Sequence, residues 1–208
     1  MKVLIACESS GVVRRAFEAK GHDAWSADLL PAADGSQKHI TGDARDALGK
    51  GWDLLIAHPP CTYLSSSGMH WTTRGLRDPK LTEDALALVI EFMLAPVERI
   101  AIENPIGVIS TRCRKPDQII QPWMFGDDAS KATCLWLKGL PMLQHDIRQY
   151  CHPRITAAGK ARWSNQTDSG QNRLGPSADR WSKRSETYPG IAAAMADQWG
   201  GEFKLVGA

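Results

Sequence analysis

The chain has 208 residues, of which 43% are apolar, and it carries a formal net charge of +2 at pH 7. This length suits one domain with its own hydrophobic core, and no stretch approaches the ~20 consecutive apolar residues of a membrane span. The five cysteines form no CxxC pair and no even set, which excludes a disulfide scaffold. We therefore expect a soluble, cytoplasmic, monomeric protein with reduced thiols.

The first part of the chain alternates between short apolar runs and one helical pattern. Val3–Cys7 is typical of a buried strand, and the apolar spacing from Val12 to Lys20 predicts a helix that ends at Gly21. Three more strands are predicted over residues 23–27, 38–41 and 53–57. This alternation predicts an α/β fold built on a doubly wound, mostly parallel sheet.

The rest of the chain has fewer regular patterns. Residues 62–80 are polar and predict a long loop, and residues 81–94 have helical spacing with Thr82 as the expected N-cap. Strands are predicted over 99–102 and 132–137, and a last helix over 191–199. Residues 148–184 lack apolar periodicity and predict a basic loop. They hold eight Lys or Arg residues (148, 154, 160, 162, 173, 180, 183 and 184) against two acids (168 and 179).

Cys61 has the position of a reactive group. The run His58-Pro59-Pro60-Cys61 follows the predicted strand 53–57, and open α/β sheets place their chemistry beyond the carboxyl ends of such strands. Glu103 ends the next predicted strand, so the two side chains would lie about 5–10 Å apart if the strands are adjacent. A thiolate and a carboxylic acid at that separation can straddle a heteroaromatic ring. Cys61 is therefore a candidate nucleophile toward a pyrimidine, and the alternative is a small buried hydrophobe.

Three segments at the same expected sheet edge are candidates for binding a nucleoside-containing cofactor. In the turn Glu8-Ser9-Ser10-Gly11, the glycine lets a ligand approach the backbone, and we expect the free N–H groups of the following helix to point at it. Asp28 is placed like an acid that binds ribose hydroxyls, and Asp43 is compatible with an adenine amino group. The pattern lacks GxGxxG, so we do not expect a dinucleotide. The alternatives are a simple tight turn and exposed loop acids.

Pro59-Pro60-Cys61 and Glu103-Asn104 resemble two signature motifs of cytosine carbon-5 DNA methyltransferases. The order of features also matches that family, and the resemblance covers residues 1 to about 110. It implies a Rossmann-like, S-adenosylmethionine-dependent methyltransferase fold with helices on both faces of the sheet. It also implies S-adenosylmethionine as the cofactor, bound by Asp28, Asp43, Pro59 and the turn from Glu8 to Gly11.

The resemblance implies methylation of carbon 5 of cytosine in DNA. In the family the cysteine, here Cys61, adds to carbon 6 of the ring, and the glutamate, here Glu103, donates to ring nitrogen 3. The target base has to be flipped out of a duplex or presented on a single strand. The expected partner is therefore DNA, and we expect no membrane partner.

The second half of the chain resembles the family less. Gln171-Asn172-Arg173 carries the first three letters of the family's Gln-x-Arg-x-Arg segment, with Gly175 in the place of the second arginine. Arg173 is thereby a third expected catalytic residue. The short remainder predicts a small, phage-like form in which residues 111–184 are a reduced, basic, loop-rich target-recognition region within one domain, 1–208. The expected substrate contacts are Ser65, Ser66, Arg74, Arg77, Asn104, Trp163 and Gln171, with Trp181 as a second indole that can stack on bases.

Three other functions stay open at this point. The chain could methylate a free cytosine nucleotide, or it could bind nucleic acid or S-adenosylmethionine without catalysis. An amino-directed DNA methyltransferase would need an aromatic residue after Pro-Pro, where this chain has Cys61 and, two positions on, Tyr63. We expect no metal, because Cys134, His145, Cys151 and His152 lack the paired short intervals of zinc sites.

Overall fold

The computed structural model describes residues 1–177 and 180–201, without the side chains of residues 181 and 182, and one seven-stranded sheet forms its centre. Its strands are Lys2–Ala6 (β1), Asp23–Asp28 (β2), His39–Thr41 (β3), Leu54–Ala57 (β4), Arg99–Pro105 (β5), Gln118–Ile120 (β6) and Thr133–Lys138 (β7). Their order is β3-β2-β1-β4-β5-β7-β6, and all neighbours are parallel except β7, which is antiparallel to β5 and β6. The predicted fold class, a Rossmann-like α/β fold with a mostly parallel sheet, is confirmed.

Helices cover both faces of this sheet. They are Val12–Ala19 (α1), Ser66–Thr73 (α2), Lys80–Met93 (α3), Ile109–Arg112 (α4), Arg180–Ser185 (α5) and Pro189–Trp199 (α6). On one face α3 packs against alternate strand residues, and Leu86, Val89 and Phe92 join the core there. On the other face α1 and α6 contribute Phe17, Met195 and Trp199. The strands are buried on both faces, which explains why they are continuous apolar runs in the sequence.

The direction of the chain across the sheet changes between β1 and β4. From β1 the chain proceeds to β2 and β3, and it then returns to the opposite side of β1 to form β4 and β5. In open α/β sheets a crevice forms at such a reversal, beyond the carboxyl ends of the strands. Glu8 follows β1 and His58 follows β4, so both candidate segments lie at this crevice.

The predicted loop over residues 62–80 is wrong, because it contains α2. The Ser65 hydroxyl accepts the N–H of Gly68 at 3.2 Å and caps this helix. The sequence did not predict the helix, because this short polar segment has no apolar periodicity. The expected N-cap of α3 is also wrong. That helix begins at Lys80 after Pro79, and the Thr82 hydroxyl donates to the carbonyl of Tyr63 at 3.2 Å.

The stretch 148–184 is more ordered than the loop that its composition predicts. Arg154–Ile155 (β8) and Ala161–Arg162 (β9) form a small antiparallel sheet, and α5 begins at Arg180. These strands are too short and too exposed to leave an apolar pattern in the sequence. Within the described ranges no helix has the length and apolar character needed to cross a membrane.

Substitution of Gly11 tests how much the crowded start of α1 contributes to the stability of the fold. It caps α1 with φ 70°, and a Cβ there would stand 2.6 Å from the Arg14 guanidinium and 2.8 Å from the Asp34 carboxylate. We expect Gly11→Ala to lower the free energy of unfolding by more than the about 1–2 kcal/mol cost of a left-handed non-glycine residue. The matched control is Gly35→Ala, where φ is 69° and the Cβ would meet nothing within 4 Å. Equal losses for both variants in urea denaturation would contradict the crowding at Gly11.

Candidate active site

The turn that carries Cys61 is fixed against the neighbouring strand. Parallel pairing joins Ala57 of β4 to Ile102 of β5, so the residues that follow them lie side by side at the sheet edge. The buried Asn104 side chain donates its Nδ2 hydrogen to the carbonyl of Pro59 at 2.7 Å. Asn104 was expected to bind substrate and Pro59 to bind the cofactor. In the structure these two residues bind each other and hold the Pro-Pro-Cys turn in place.

Glu103 and His58 form a buried pair beside this turn. Nδ1 of His58 lies 3.0 Å from Oε2 of Glu103, and the two side chains are only 8% and 10% exposed. Burial raises the pKa of the Glu103 carboxyl, but the hydrogen bond from His58 and the charge of Lys131 outweigh it, and the pKa lies below its usual range. The free site therefore holds Glu103 as a carboxylate. The sequence pattern drew attention to Cys61 and Glu103 but not to His58.

Lys131 faces both candidate catalytic groups. It lies just before β7, the strand that pairs antiparallel with β5, and its Nζ donates to the carbonyl of Arg184 at 3.1 Å. Burial raises the pKa of the Cys61 thiol above its usual range, while the charges of Lys131 and Arg184 act in the opposite direction. Lys131 was missed because its position depends on where β7 enters the sheet. A lysine next to a predicted strand is too common a feature to single it out.

Cys61 lines a cleft of about 900 Å³. Its wall contains four of the predicted site residues, Cys61, Ser65, Arg77 and Arg173, and it adds three cations, Lys131, Lys183 and Arg184. The buried Glu103 carboxyl lies behind this wall, next to Cys61 and Lys131. The structure thus brings Arg173 to the same cleft as Cys61, where its Nε donates to the carbonyl of Gln166 at 2.9 Å.

Several expected substrate contacts already have partners within the chain. Nη1 of Arg77 donates to the carbonyls of Thr62 at 2.8 Å and Gly68 at 3.2 Å, which ties α2 to the Cys61 turn. The hydroxyl of Ser66 donates to the carbonyl of Ile106 at 3.0 Å. These bonds make the segment between Cys61 and α3 a braced part of the cleft wall, where the sequence predicts a free loop.

Trp163, which was expected to contact bases, has partners within the chain. Its ring stacks on Trp123 with centroids 5.6 Å apart and planes 17° apart, and its Nε1 donates to the carbonyl of Cys151 at 3.1 Å. The indole therefore stabilises the small sheet region and is not among the residues that line the cleft. Arg74 and Gln171 are exposed and also lie outside the lining. The side chain of Trp181 falls outside the described part of the chain.

The N–H groups at the start of α1 were expected to be free, but several of them are bonded to side chains of the turn after β1. Oε1 of Glu8 accepts the N–H of Val13 at 2.7 Å, and Oε2 accepts the N–H of Arg14 at 3.3 Å. The N–H of Val12 bonds to the hydroxyl of Ser10 at 3.4 Å. The carboxylate of Glu8 thus occupies the positive end of α1, and these N–H groups are not available to an anionic ligand. Ser9 contributes its carbonyl, which accepts the N–H of Ala33 at 2.8 Å.

The two predicted cofactor acids do converge on the end of β1. Burial, together with the charges of Asp28 and Asp43, raises the pKa of the Cys7 thiol to about 12. Asp28 accepts the N–H of Leu30 at 2.9 Å through one oxygen. Both oxygens of Asp43 accept hydrogen bonds from the Arg45 guanidinium, which hold the pKa of Asp43 below its usual range. The edge thus carries two carboxylates, of which Asp43 is already paired with Arg45, and it suits ligand groups that donate hydrogen bonds.

Among the residues that the structure describes, no group of three or more His, Cys, Asp or Glu side chains is arranged to hold a metal ion. All five cysteines are free.

Known proteins resemble this chain in fold. No protein-family model matches the sequence, and no curated protein matches it either. One similar solved structure is the S. pombe Dnmt2 methyltransferase, with 19% identity over 66% of this chain and 48% of that chain and a TM-score of 0.44. Another is the Entamoeba histolytica methyltransferase EhMeth, with 13% identity over 71% of this chain and 55% of that chain and a TM-score of 0.49. A third is a candidate DNA modification methyltransferase from an E. coli prophage, with 14% identity over 71% of this chain and 51% of that chain and a TM-score of 0.45. This chain spans about half the length of these proteins, and the likeness concerns the fold alone.

Substitution of Lys131 tests how the charge of this side chain affects the ionisation of the Cys61 thiol. We expect Lys131→Met to shift the alkylation of Cys61 by iodoacetamide to higher pH, because the removed cation stabilises the thiolate. The rate should fall several-fold at neutral pH. Mass spectrometry of the Cys61 peptide separates this thiol from the other four.

Lys138→Met is the matched control for that test. Lys138 ends the same strand, β7, and its Nζ donates to the carbonyl of Ala95 at 3.4 Å, so its removal should leave the alkylation profile unchanged. If both variants behave alike, the charge at position 131 does not act on Cys61.

Proposed function

We propose that this chain is an S-adenosylmethionine-dependent methyltransferase that acts on carbon 5 of cytosine in DNA, through a covalent bond from Cys61 to carbon 6. One observation carries the proposal. A fixed thiol lies in the wall of a basic cleft, and a buried carboxyl, Glu103, lies behind it at the end of the adjacent strand. That arrangement suits attack on one ring atom and hydrogen bonding to another atom of the same ring.

Cys61 acts as the nucleophile in this proposal. Its pKa is raised, so the resting group is a thiol, and Lys131 provides the charge that favours the thiolate when the base enters. The thiolate adds to carbon 6, and the electron pair displaced from the ring double bond makes carbon 5 nucleophilic. After methylation, water takes the proton from carbon 5, the electron pair of that C–H bond restores the ring double bond, and Cys61 leaves as the thiolate.

Glu103 acts on ring nitrogen 3. In the free site it is a carboxylate held by His58 and Lys131. The negative charge that develops in the ring during thiolate addition favours the protonated form of the carboxyl, which donates a hydrogen bond to the ring nitrogen. This donation stabilises the negative charge that thiolate addition pushes into the ring.

The residues at the edge that carries Asp28 and Asp43 fit S-adenosylmethionine better than a dinucleotide. Asp28 would accept hydrogen bonds from the ribose hydroxyls, and Asp43 from the adenine amino group. The positive end of α1 is already occupied by Glu8, which suits a cofactor that has no phosphate. When bound, this cofactor supplies the electrophilic methyl group.

The cleft supports a polynucleotide as the substrate. Lys131, Arg173 and Arg184 line it together with uncharged hydrogen-bonding groups such as Ser130 and Asn165. Cations of this kind neutralise phosphates, and the polar groups can contact a base that has left the stack. In this proposal the parts of 111–184 outside β6 and β7 form the reduced target-recognition region.

Covalent trapping tests the proposed function. We expect a stable adduct with DNA that contains 5-fluorocytosine when S-adenosylmethionine is present, because fluorine at carbon 5 cannot leave as a proton and Cys61 stays bound. Cys61→Ser should form no adduct, whereas Cys151→Ser should form it as the wild type does. Denaturing electrophoresis and mass spectrometry of the linked peptide give the readout.

The same assay discriminates the alternatives. Duplex DNA, single-stranded DNA and a 5-fluorocytosine nucleotide are compared in parallel, and the form that reacts fastest identifies the substrate. An adduct that persists in Cys61→Ser would contradict the assigned nucleophile. A wild type that forms no adduct with any of the three would leave a non-catalytic binding protein as the better account.

A further inference from the structure

A buried row of three side chains connects the turn after β1 with the carboxyl behind Cys61. The row consists of Glu8, His58 and Glu103, which follow or end three neighbouring strands, β1, β4 and β5. Glu8 is 6% exposed and Glu103 is 8% exposed, so both carboxyls lie almost entirely out of water. We refer to these residues as the Glu8–His58–Glu103 row.

His58 has one direct bond in this row. Its Nδ1 lies 3.0 Å from Oε2 of Glu103. Because the pKa of Glu103 is lowered and its carboxylate can only accept, Nδ1 carries the hydrogen and donates it. This bond fixes one oxygen of Glu103, and the side chain of Thr133 is a further hydrogen-bond partner of the same carboxyl.

Glu8 is the third member of the row. Its own oxygens are held by the N–H groups of Val13 and Arg14, so its position is set by the start of α1. Burial raises the pKa of Glu8, and the charge of His58 opposes that rise. Nε2 of His58 is buried and has no hydrogen-bond partner among the described residues. The imidazole is thus bonded to Glu103, and its charge also acts on Glu8.

We propose that His58 is a positioning residue that sets the orientation and charge of Glu103, with Glu8 as its counter-charge. The row thereby couples the charge of Glu8, in the turn after β1, to the charge of Glu103 next to the base. The role in catalysis rests on the proposed function, whereas the control of the Glu103 charge does not. The charged groups that act on the row are Glu8, Glu103, Lys131 on the Glu103 side and Arg14 on the Glu8 side.

Two substitutions of His58 separate orientation from charge. In Asn the amide nitrogen is attached to Cγ, as Nδ1 is in His, so His58→Asn keeps a donor for Glu103 but cannot become positive. His58→Leu fills a similar volume and has neither property. A purely structural role would make both variants alike, whereas a positioning role makes Asn the conservative replacement.

The first test measures the charge of Glu103 in the free protein. Glutamate is labelled with ¹³C at the carboxyl, and the Glu103 signal is assigned by its loss in Glu103→Gln. We expect Glu103 to titrate at higher pH in His58→Asn than in the wild type, because the positive partner that lowers its pKa is gone. His58→Leu should shift Glu103 further in the same direction, since it removes the hydrogen bond from His58 as well as its charge. Unchanged Glu103 titration in both variants would overturn the proposal.

The second test measures the effect on the base without the cofactor. Reversible addition of Cys61 to carbon 6 lets carbon 5 take up a solvent proton, so cytosine deuterated at carbon 5 loses its deuterium to water. We expect His58→Leu to slow this exchange about 100-fold through misplacement of Glu103. His58→Asn should stay within about tenfold of the wild type at its optimum, and its decline at high pH should begin at higher pH because Glu103 stays protonated longer.

The outcomes distinguish the two proposals. Exchange in His58→Leu at the wild-type rate, or a His58→Asn profile that coincides with the wild type, would overturn the role of His58. A wild type that exchanges no cytosine substrate contradicts the proposed function, and the carboxyl titration still decides the control of Glu103 by the row. Circular dichroism and thermal melting of each variant show whether the fold is retained.

Discussion

The pairing of β4 with β5 is the constraint on which the site depends. Its register sets Ala57 against Ile102, so the turn that begins at His58 lies level with Glu103 at the sheet edge. A shift by one residue would turn Glu103 to the other face of the sheet, away from Cys61. The bond from Asn104 to the carbonyl of Pro59 then closes the turn on the strand. Two segments that are distant in the sequence thereby become one rigid wall behind the cleft.

Charge balance is the second constraint. Two carboxyls are buried at the reversal of the sheet, and an unpaired buried charge would cost several kcal/mol. Glu8 is balanced by the positive end of α1, and Glu103 by His58 and Lys131. The same arrangement leaves Cys61 beside a carboxylate that disfavours its thiolate, so Lys131 is needed on the cleft side. The electrostatics of the nucleophile and of the carboxyl are therefore coupled through one lysine.

In the proposed function, chemistry and recognition come from different parts of the fold. The candidate catalytic groups lie on or next to the ends of β4 and β5, which are buried and braced. The cleft opposite Cys61 is formed by segments around residues 130, 164–174 and 183–188, which are largely irregular and polar. Loops supported by a rigid sheet can vary without disturbing the chemistry. The two roles are thus separated along the chain, with the exception of Lys131, which takes part in both.

The amino-acid sequence by itself determined the parallel strands and the pair Cys61 and Glu103. Strands buried on both faces have to be apolar runs, and polar residues that end such runs lie at one sheet edge. Lys131 could not be found in this way, because its place follows from the insertion of β7 between β5 and β6. The polar helix α2, the stacking of Trp163 on Trp123 and the capping of α1 by Glu8 also escaped sequence reasoning. Each depends on hydrogen bonds or ring contacts, which have no period along the chain, so only the tertiary structure decided them.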